Sequence, residues 1–145
     1  MTMTLSLSLT QFRFDVAPDG VALLTWDMPG RVMNIFTEDT MRELDQVIDH
    51  VVSEPTIIGC VIASGKADSF SGGADIRMLD AIAERARENE KSLGAHEANR
   101  LFFEEARKLG LLFRRLETCG KAFAIAIHGV CMGGATELAL ACHYR

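Results

Sequence analysis

Glu137 stands three residues after Gly134, at the end of the run His128-Gly129-Val130-Cys131-Met132-Gly133-Gly134. Ahead of that run lies an apolar strand-like stretch, Phe123 to Ile127, and behind it come Leu138, Ala139, Leu140, Ala141 and Cys142. A strand, a glycine turn and a helix leave free backbone N–H groups at the helix start, where they can hold negative charge. Three residues make about one helical turn, so the Glu137 carboxylate can share a pocket with those donors. The chemistry this suggests is an acid working beside an oxyanion-binding turn, with Gly134 N–H as one donor. Phe70-Ser71-Gly72-Gly73-Ala74-Asp75 offers a second corner of the same kind. Two such corners at one end of a parallel sheet would make a crevice of the sort that holds ligands in open α/β sheets. Two convergent donors can stabilise an enolate or a tetrahedral oxygen by a few kcal/mol each.

Each of these residues also has a plainer reading. Glycines at strand–helix corners serve positive φ or close packing, and a glutamate on a helix is usually solvated. The alanine, leucine and cysteine neighbours of Glu137 argue for burial instead, which suits a carboxyl to acid–base work. Asp75 reads as an early-helix acid favoured by the helix dipole. His128 reads as a residue that orients the turn. Lys66 and Arg31 lie in loops, where they can meet a phosphate or simply remain in water. Several other chemistries are excluded. The glycine turn lacks the GK[ST] ending of a nucleotide phosphate loop, and neither turn has the GxGxxG of a dinucleotide site. HExxH and GxSxG are absent as well, and Cys60, Cys119, Cys131 and Cys142 show no paired spacing, so they read as reduced structural cysteines with no metal to bind.

The elements that must position these residues follow from periodicity. Phe12, Phe14 and Val16 alternate with polar residues, Pro18-Asp19-Gly20 makes a turn, and Val21 to Trp26 returns as the second strand of a hairpin. Thr37 is the expected N-cap of a helix running through Ser53. Ile57 to Ala63 reads as a strand buried on both faces, and Ser64 to Gly73 as a loop. Ala81 to Ala98 reads as exposed helix plus mobile loop, and Asn99 to Leu116 as one helix with a continuous apolar stripe that ends before Gly120. The Phe123–Ile127 strand is too apolar for an exposed edge, and the helix after it must be covered on several sides. The alternation of strands and helices is an α/β pattern.

The 145 residues, 48% hydrophobic and 24% charged, fit a single folded domain. A net charge of -5 gives no support for nucleic-acid binding. The start, MTMTLSLSLT, has no basic residue followed by a long apolar run, and no stretch is long enough to span a bilayer. A cytoplasmic location is the expectation. Residues 1–10 read as an N-terminal extension, and 11–145 as the domain.

From Val21 to the last residue the chain resembles the crotonase, or enoyl-CoA hydratase/isomerase, superfamily. The resemblance rests on the Pro29-to-Asn34 loop, the corner from Phe70 to Asp75, and the run from Ile127-His128-Gly129 through Glu137-Leu138-Ala139. Pro29-Gly30-Arg31-Val32-Met33-Asn34 and Ala141-Cys142-His143-Tyr144-Arg145 are most similar to the hydratase half of multifunctional fatty-acid oxidation proteins. This implies a crotonase-like ββα superhelix, of which the chain holds only the N-terminal part. It implies that Ala74 and Gly134 are the oxyanion donors and that Glu137 is the first catalytic glutamate. Arg31, Met33, Asn34, Ser71, Gly73, Asp75, Ile76 and Gly133 would lie in the regions that hold a coenzyme A thioester. The implied reaction is reversible hydration of a trans-2-enoyl-CoA in β-oxidation. Isomerisation of the double bond, or acyl-CoA binding without catalysis, are the alternatives. Family members are oligomeric, some with a thiolase subunit, and NAD would be needed only by a dehydrogenase domain following in the parent protein. Ala122 stands where a proline is common, and Ala135 where a third glycine is. The second catalytic glutamate would fall beyond Arg145, so the chain by itself is expected to be weakly active or inactive.

Overall fold

Alternation and turn chemistry produce the opening hairpin. Strands β1 (Phe12–Val16) and β2 (Val21–Trp26) pair antiparallel, with Phe12 opposite Trp26. Asp19 closes the turn by accepting the Val21 N–H at 3.0 Å. The structure is a computed structural model and describes residues 7–145. Helix α1 (Glu38–Ser53) starts at Thr37 through reciprocal bonds: Thr37 Oγ1 accepts the Thr40 N–H at 3.2 Å, and Thr40 Oγ1 accepts the Thr37 N–H at 2.7 Å. Leu44, Val47, Ile48 and Val51 form its buried face, and Pro55 prevents continuation.

Next come β3 (Gly59–Ser64), β4 (Ser69–Ser71), α2 (Ile76–Leu93), α3 (Ala95–Ala106), α4 (Lys108–Thr118), β5 (Ala122–Ala126), β6 (Val130–Cys131) and α5 (Gly134–Ala141). Among the described residues one sheet has the order β1-β2-β3-β5, with β2, β3 and β5 mutually parallel. β4 and β6 form a separate short parallel sheet. The inward side chains of the main sheet (Ala22, Leu24, Trp26, Cys60, Ile62, Phe123, Ile125) join those of α1, α4 and α5 in one core. Arg115 of α4 pairs with Asp45 and Asp49 of α1 and ties the two covering helices together.

Several expectations are corrected here. The Ile57–Ala63 strand is covered on one face only. Successive side chains point to opposite faces, and the core helices lie on the Cys60 and Ile62 side. On the other face Val61 is half-buried and Leu23, beside it in β2, is 42% exposed. The expected loop 64–73 contains β4, a strand too short to show alternation, and the glycine turn likewise contains β6. α2 runs unbroken to Leu93, so no loop interrupts it before Gly94. The stripe expected over 99–116 is divided at Arg107 into α3 and α4. Only the α4 part, Leu112, Phe113 and Leu116, is buried, while Phe102 is largely exposed because α3 packs mainly on α2. Among the described residues β5 is the last strand of its sheet, and only residues 143 and 144 reach its outer edge. Leu140 of α5 is 66% exposed, so the described residues cover that helix on one side only. Leu7 and Leu9, in the expected extension, pack against the core, and Glu43 holds Thr10. Met1 to Ser6 lie outside the described residues.

Candidate active site

The first corner is set by one residue of bridge pairing. Phe36 makes a single parallel bridge with Ala74: Phe36 N–H donates to the Gly73 carbonyl at 2.7 Å, and Asp75 N–H donates to the Phe36 carbonyl at 2.9 Å. In a parallel bridge the middle residue's own N–H points away from its partner. The Ala74 N–H accordingly donates to no protein acceptor among the described residues.

The second corner leaves its donor free for a different reason. Gly134 opens α5, and the first N–H groups of a helix have no partner within it. The N–H groups that follow find acceptors, Ala135 on the Met132 carbonyl at 3.1 Å and Thr136 on the Gly133 carbonyl at 2.9 Å, but Gly134 N–H, like that of Gly133 before it, finds none among the described residues. The corners touch each other. Met132 N–H donates to the Ser71 carbonyl at 3.1 Å. Gly73 has φ +91°, and a Cβ there would lie 2.7 Å from the Met132 carbonyl oxygen. Only glycine permits this backbone and this approach together.

A cleft of about 670 Å³ is lined by both donor residues, Ala74 and Gly134, together with Gly133 and Glu137. The three residues expected to be catalytic are therefore brought together. Glu137 is exposed rather than buried. α5 turns Ala135, Leu138 and Ala139 inward, and its 3.6-residue period leaves Thr136, Glu137 and Leu140 on the opposite side. Leu79, Ala106, Arg107, Leu109, Gly110 and Leu111 make the opposite wall. Sequence reasoning missed them, because nothing in the stripe signals the break at Arg107 that turns α3 and α4 toward the corner. A second groove of about 770 Å³ adjoins the cleft. It shares Ala74, Leu79, Ala106 and Leu109 with it and adds Met41, Met78, Ile82 and Phe102, with the charged Glu38, Arg42, Arg85, Glu105 and Lys108 also in its lining.

The remaining expected ligand residues are distributed around the first corner. Asp75 caps α2 by accepting the Arg77 N–H at 2.9 Å, and Arg31 Nη2 lies 4.0 Å from its carboxylate. Ile76 begins α2 and is mostly exposed. Met33 packs its sulfur against Gly72. Asn34 and Ser71 are fully buried, with their side chains bonded inside the protein rather than presented to a ligand. Lys66 is neither a free phosphate contact nor a solvated charge: its Nζ donates to the Met28 carbonyl at 2.6 Å and pairs with Asp27 at 2.8 Å. Lys66 and Arg13 together hold the Asp27 carboxyl below its usual range. His128 does orient the turn, by an Nε2–H bond to the Lys66 carbonyl at 2.7 Å.

The family model for enoyl-CoA hydratase/isomerase matches residues 17–145. The chain belongs to the enoyl-CoA hydratase/isomerase family. The fatty acid oxidation complex subunit alpha of Shewanella sp. strain W3-18-1 is 39% identical over 127 residues, covering 88% of this chain and 16% of the relative. The protein of the same name from Shewanella amazonensis is 42% identical over 129 residues, again 88% of this chain and 16% of the relative. In three dimensions the chain superposes on an enoyl-CoA hydratase from Shewanella pealeana with TM-score 0.76 at 22% identity, over 99% of this chain and 49% of that one. DspI of Pseudomonas aeruginosa gives TM-score 0.72 at 26% identity, over 98% and 47%. The fold is thus the crotonase fold, and the chain spans about half the length of these solved structures. Among the described residues of this family member, no helix is long and apolar enough to cross a membrane.

Proposed function

We propose that the cleft binds the thioester of a trans-2-enoyl-CoA and takes part in its reversible hydration to a 3-hydroxyacyl-CoA. The observation that carries this is that Ala74 and Gly134, whose N–H groups have no acceptor among the described residues, line one cleft with Glu137. The thioester carbonyl oxygen accepts from both donors. Glu137 takes a proton from water, the water oxygen bonds to Cβ, and the double-bond electrons move through Cα onto the carbonyl oxygen. The resulting enolate carries its charge on the carbonyl oxygen that the two donors hold, and Cα then takes the proton that Glu137 had removed from water, which restores the carboxylate. Preorganised donors of this kind are each worth about 3–4 kcal/mol in the transition state. In the adjoining groove Met41, Met78, Ile82 and Phe102 offer apolar contacts to the acyl tail, whose burial stabilises binding with each methylene.

Glu137 is the one carboxylate lining this cleft among the described residues, so the chain on its own binds the thioester but turns it over slowly or not at all. The same site would serve fatty-acid oxidation, and the name shared by the curated relatives, fatty acid oxidation complex subunit alpha, supports that much. A cytoplasmic location and a thiolase subunit as partner are further parts of the proposal that rest on the family resemblance alone.

Two substitutions isolate one donor. Gly134→Ala adds a Cβ against Leu109 and Phe36 but keeps the N–H. Gly134→Pro removes the N–H at a first helical position, where proline is tolerated. Calorimetry with crotonyl-CoA and with free coenzyme A then reads the donor. The proline variant loses the preference for the thioester, and the alanine variant keeps it. Equal preference in both variants sinks the oxyanion role. Product analysis with crotonyl-CoA and a 3-enoyl-CoA tells hydration from double-bond migration.

A further inference from the structure

The strongest unexplained feature near the cleft is a buried asparagine. Asn34 is fully buried, and its carboxamide joins elements that are far apart in sequence. Oδ1 accepts the Met28 N–H at 3.1 Å, while Nδ2 donates to the carbonyls of Trp26 at 2.8 Å and Phe70 at 3.0 Å and to Ser64 Oγ at 3.0 Å. One side chain thus fastens the ends of β2, β3 and β4. Because its Nδ2 partners include two carbonyls, which only accept, the amide orientation follows from the network.

The main chain of Asn34 continues the connection toward the cleft. Its carbonyl accepts the Gly72 N–H at 2.9 Å and the Ser71 hydroxyl at 2.9 Å. Ser71 Oγ in turn accepts the Gly73 N–H at 3.1 Å. The two N–H groups immediately before Ala74 are therefore consumed by Asn34, directly or through Ser71, and the next one is left over. The same Ser71 reaches the other corner, since its carbonyl takes the Met132 N–H at 3.1 Å and the Met132 carbonyl takes that of Ala135 at 3.1 Å. On that side the N–H groups left over among the described residues are those of Gly133 and Gly134, and Gly134 is the one that opens α5.

We propose that Asn34, acting through Ser71, is the positioning residue of this site, holding the Ala74 and Gly134 donors at the spacing one carbonyl oxygen requires. The proposal rests on the thioester-binding reading above. A purely structural asparagine would stabilise the loop without affecting which ligand the cleft prefers. Positioning predicts an effect confined to ligands that carry the carbonyl.

The test compares Asn34→Asp, Ser71→Ala and the control Glu43→Gln, a substitution at an equally buried residue away from the corners. Asn34→Asp keeps the shape but faces the Trp26 and Phe70 carbonyls with an oxygen. Ser71→Ala removes only the hydroxyl relay and retains the fold. Affinities for crotonyl-CoA and free coenzyme A are measured well below each variant's melting temperature. The preference for the thioester is expected to fall by up to about tenfold in Ser71→Ala, the scale of one hydrogen bond, with coenzyme A binding unchanged. Glu43→Gln lowers the melting temperature and leaves the preference intact. A folded Ser71→Ala or Asn34→Asp protein with wild-type preference overturns the proposal. If the wild-type chain shows no preference, the functional reading fails by itself. Positioning is then judged from the ligand-free amide spectrum, where Ser71→Ala must shift both the Ala74 and the Gly134 resonances. A shift at Ala74 alone, or at neither, overturns it.

Discussion

Replacing Gly73 by alanine tests whether the two glycine corners are in contact, because two separate costs meet there. The first is conformational. Gly73 has φ +91°, and an L-residue in left-handed backbone costs about 1–2 kcal/mol. The second is steric. The new Cβ would lie 2.7 Å from the Met132 carbonyl oxygen, 3.3 Å from the Met132 carbonyl carbon and 3.4 Å from Gly133 Cα. All three are backbone atoms that cannot swing aside, so the corners must separate, at a further cost of about 1–3 kcal/mol by analogy with overpacked cores. Gly94→Ala is the matched control, with φ +82° and nothing within 4 Å of the new methyl. Urea unfolding followed by the fluorescence of Trp26, the single tryptophan and fully buried, reads both variants. Gly94→Ala is expected to lose only the conformational part, and Gly73→Ala about 1–3 kcal/mol more, a large share of a typical 5–15 kcal/mol total. Equal losses in the two proteins would refute the corner-to-corner contact, and the shared cleft with it.

Two further outcomes follow from buried groups away from the cleft. The Glu43 carboxylate, 2% exposed, accepts the N–H of Thr10 at 3.0 Å, its hydroxyl at 2.7 Å and the N–H of Gln11 at 2.8 Å; Glu43→Ala should cost about 2–4 kcal/mol in the same urea assay and make the chain before β1 easier to cleave with a protease, and an unchanged midpoint would contradict the anchoring. Burial pushes the Cys60 and Cys142 thiols from 9.0 up to about 12. Between those values the folded thiols keep protons that the unfolded chain has lost, so stability is complete below pH 9 and falls as pH rises toward 12, by up to about 1.4 kcal/mol per unit for each thiol. Alkaline urea titrations of the protein and of a Cys60→Ala, Cys142→Ala variant check this; equal slopes in both would exclude the thiols as the cause.

The hairpin, α1 and the core strands were legible because their signals are local: alternation in Phe12–Val16, an Asp-Gly turn, a threonine cap before an amphipathic run. The candidate site was legible for a similar reason. A glycine corner followed by an acid on a helix specifies free N–H groups and a carboxylate within a turn of them. What is not local was misread. β4 and β6 are too short to carry a period, and each exists only because the other pairs with it. α3 and α4 separate at Arg107, although the stripe from Phe102 to Leu116 runs through it, because α3 packs on α2 while α4 packs on α1 and α5. Asn34 and Ser71 look from sequence like polar loop residues available to a ligand.

By itself, then, the sequence picked out the candidate site residues, Ala74, Gly134 and Glu137, and the kind of backbone that carries them. Their meeting was decided by tertiary structure. Among the described residues Ala74 N–H is left without an acceptor because Phe36, distant in sequence, takes the groups on either side of it. The corners close on each other only because Gly73 admits the Met132 carbonyl. Glu137 faces outward, against the expectation from its apolar neighbours, because burial is a property of what packs over a helix face, and in α5 the inward face belongs to Ala135, Leu138 and Ala139.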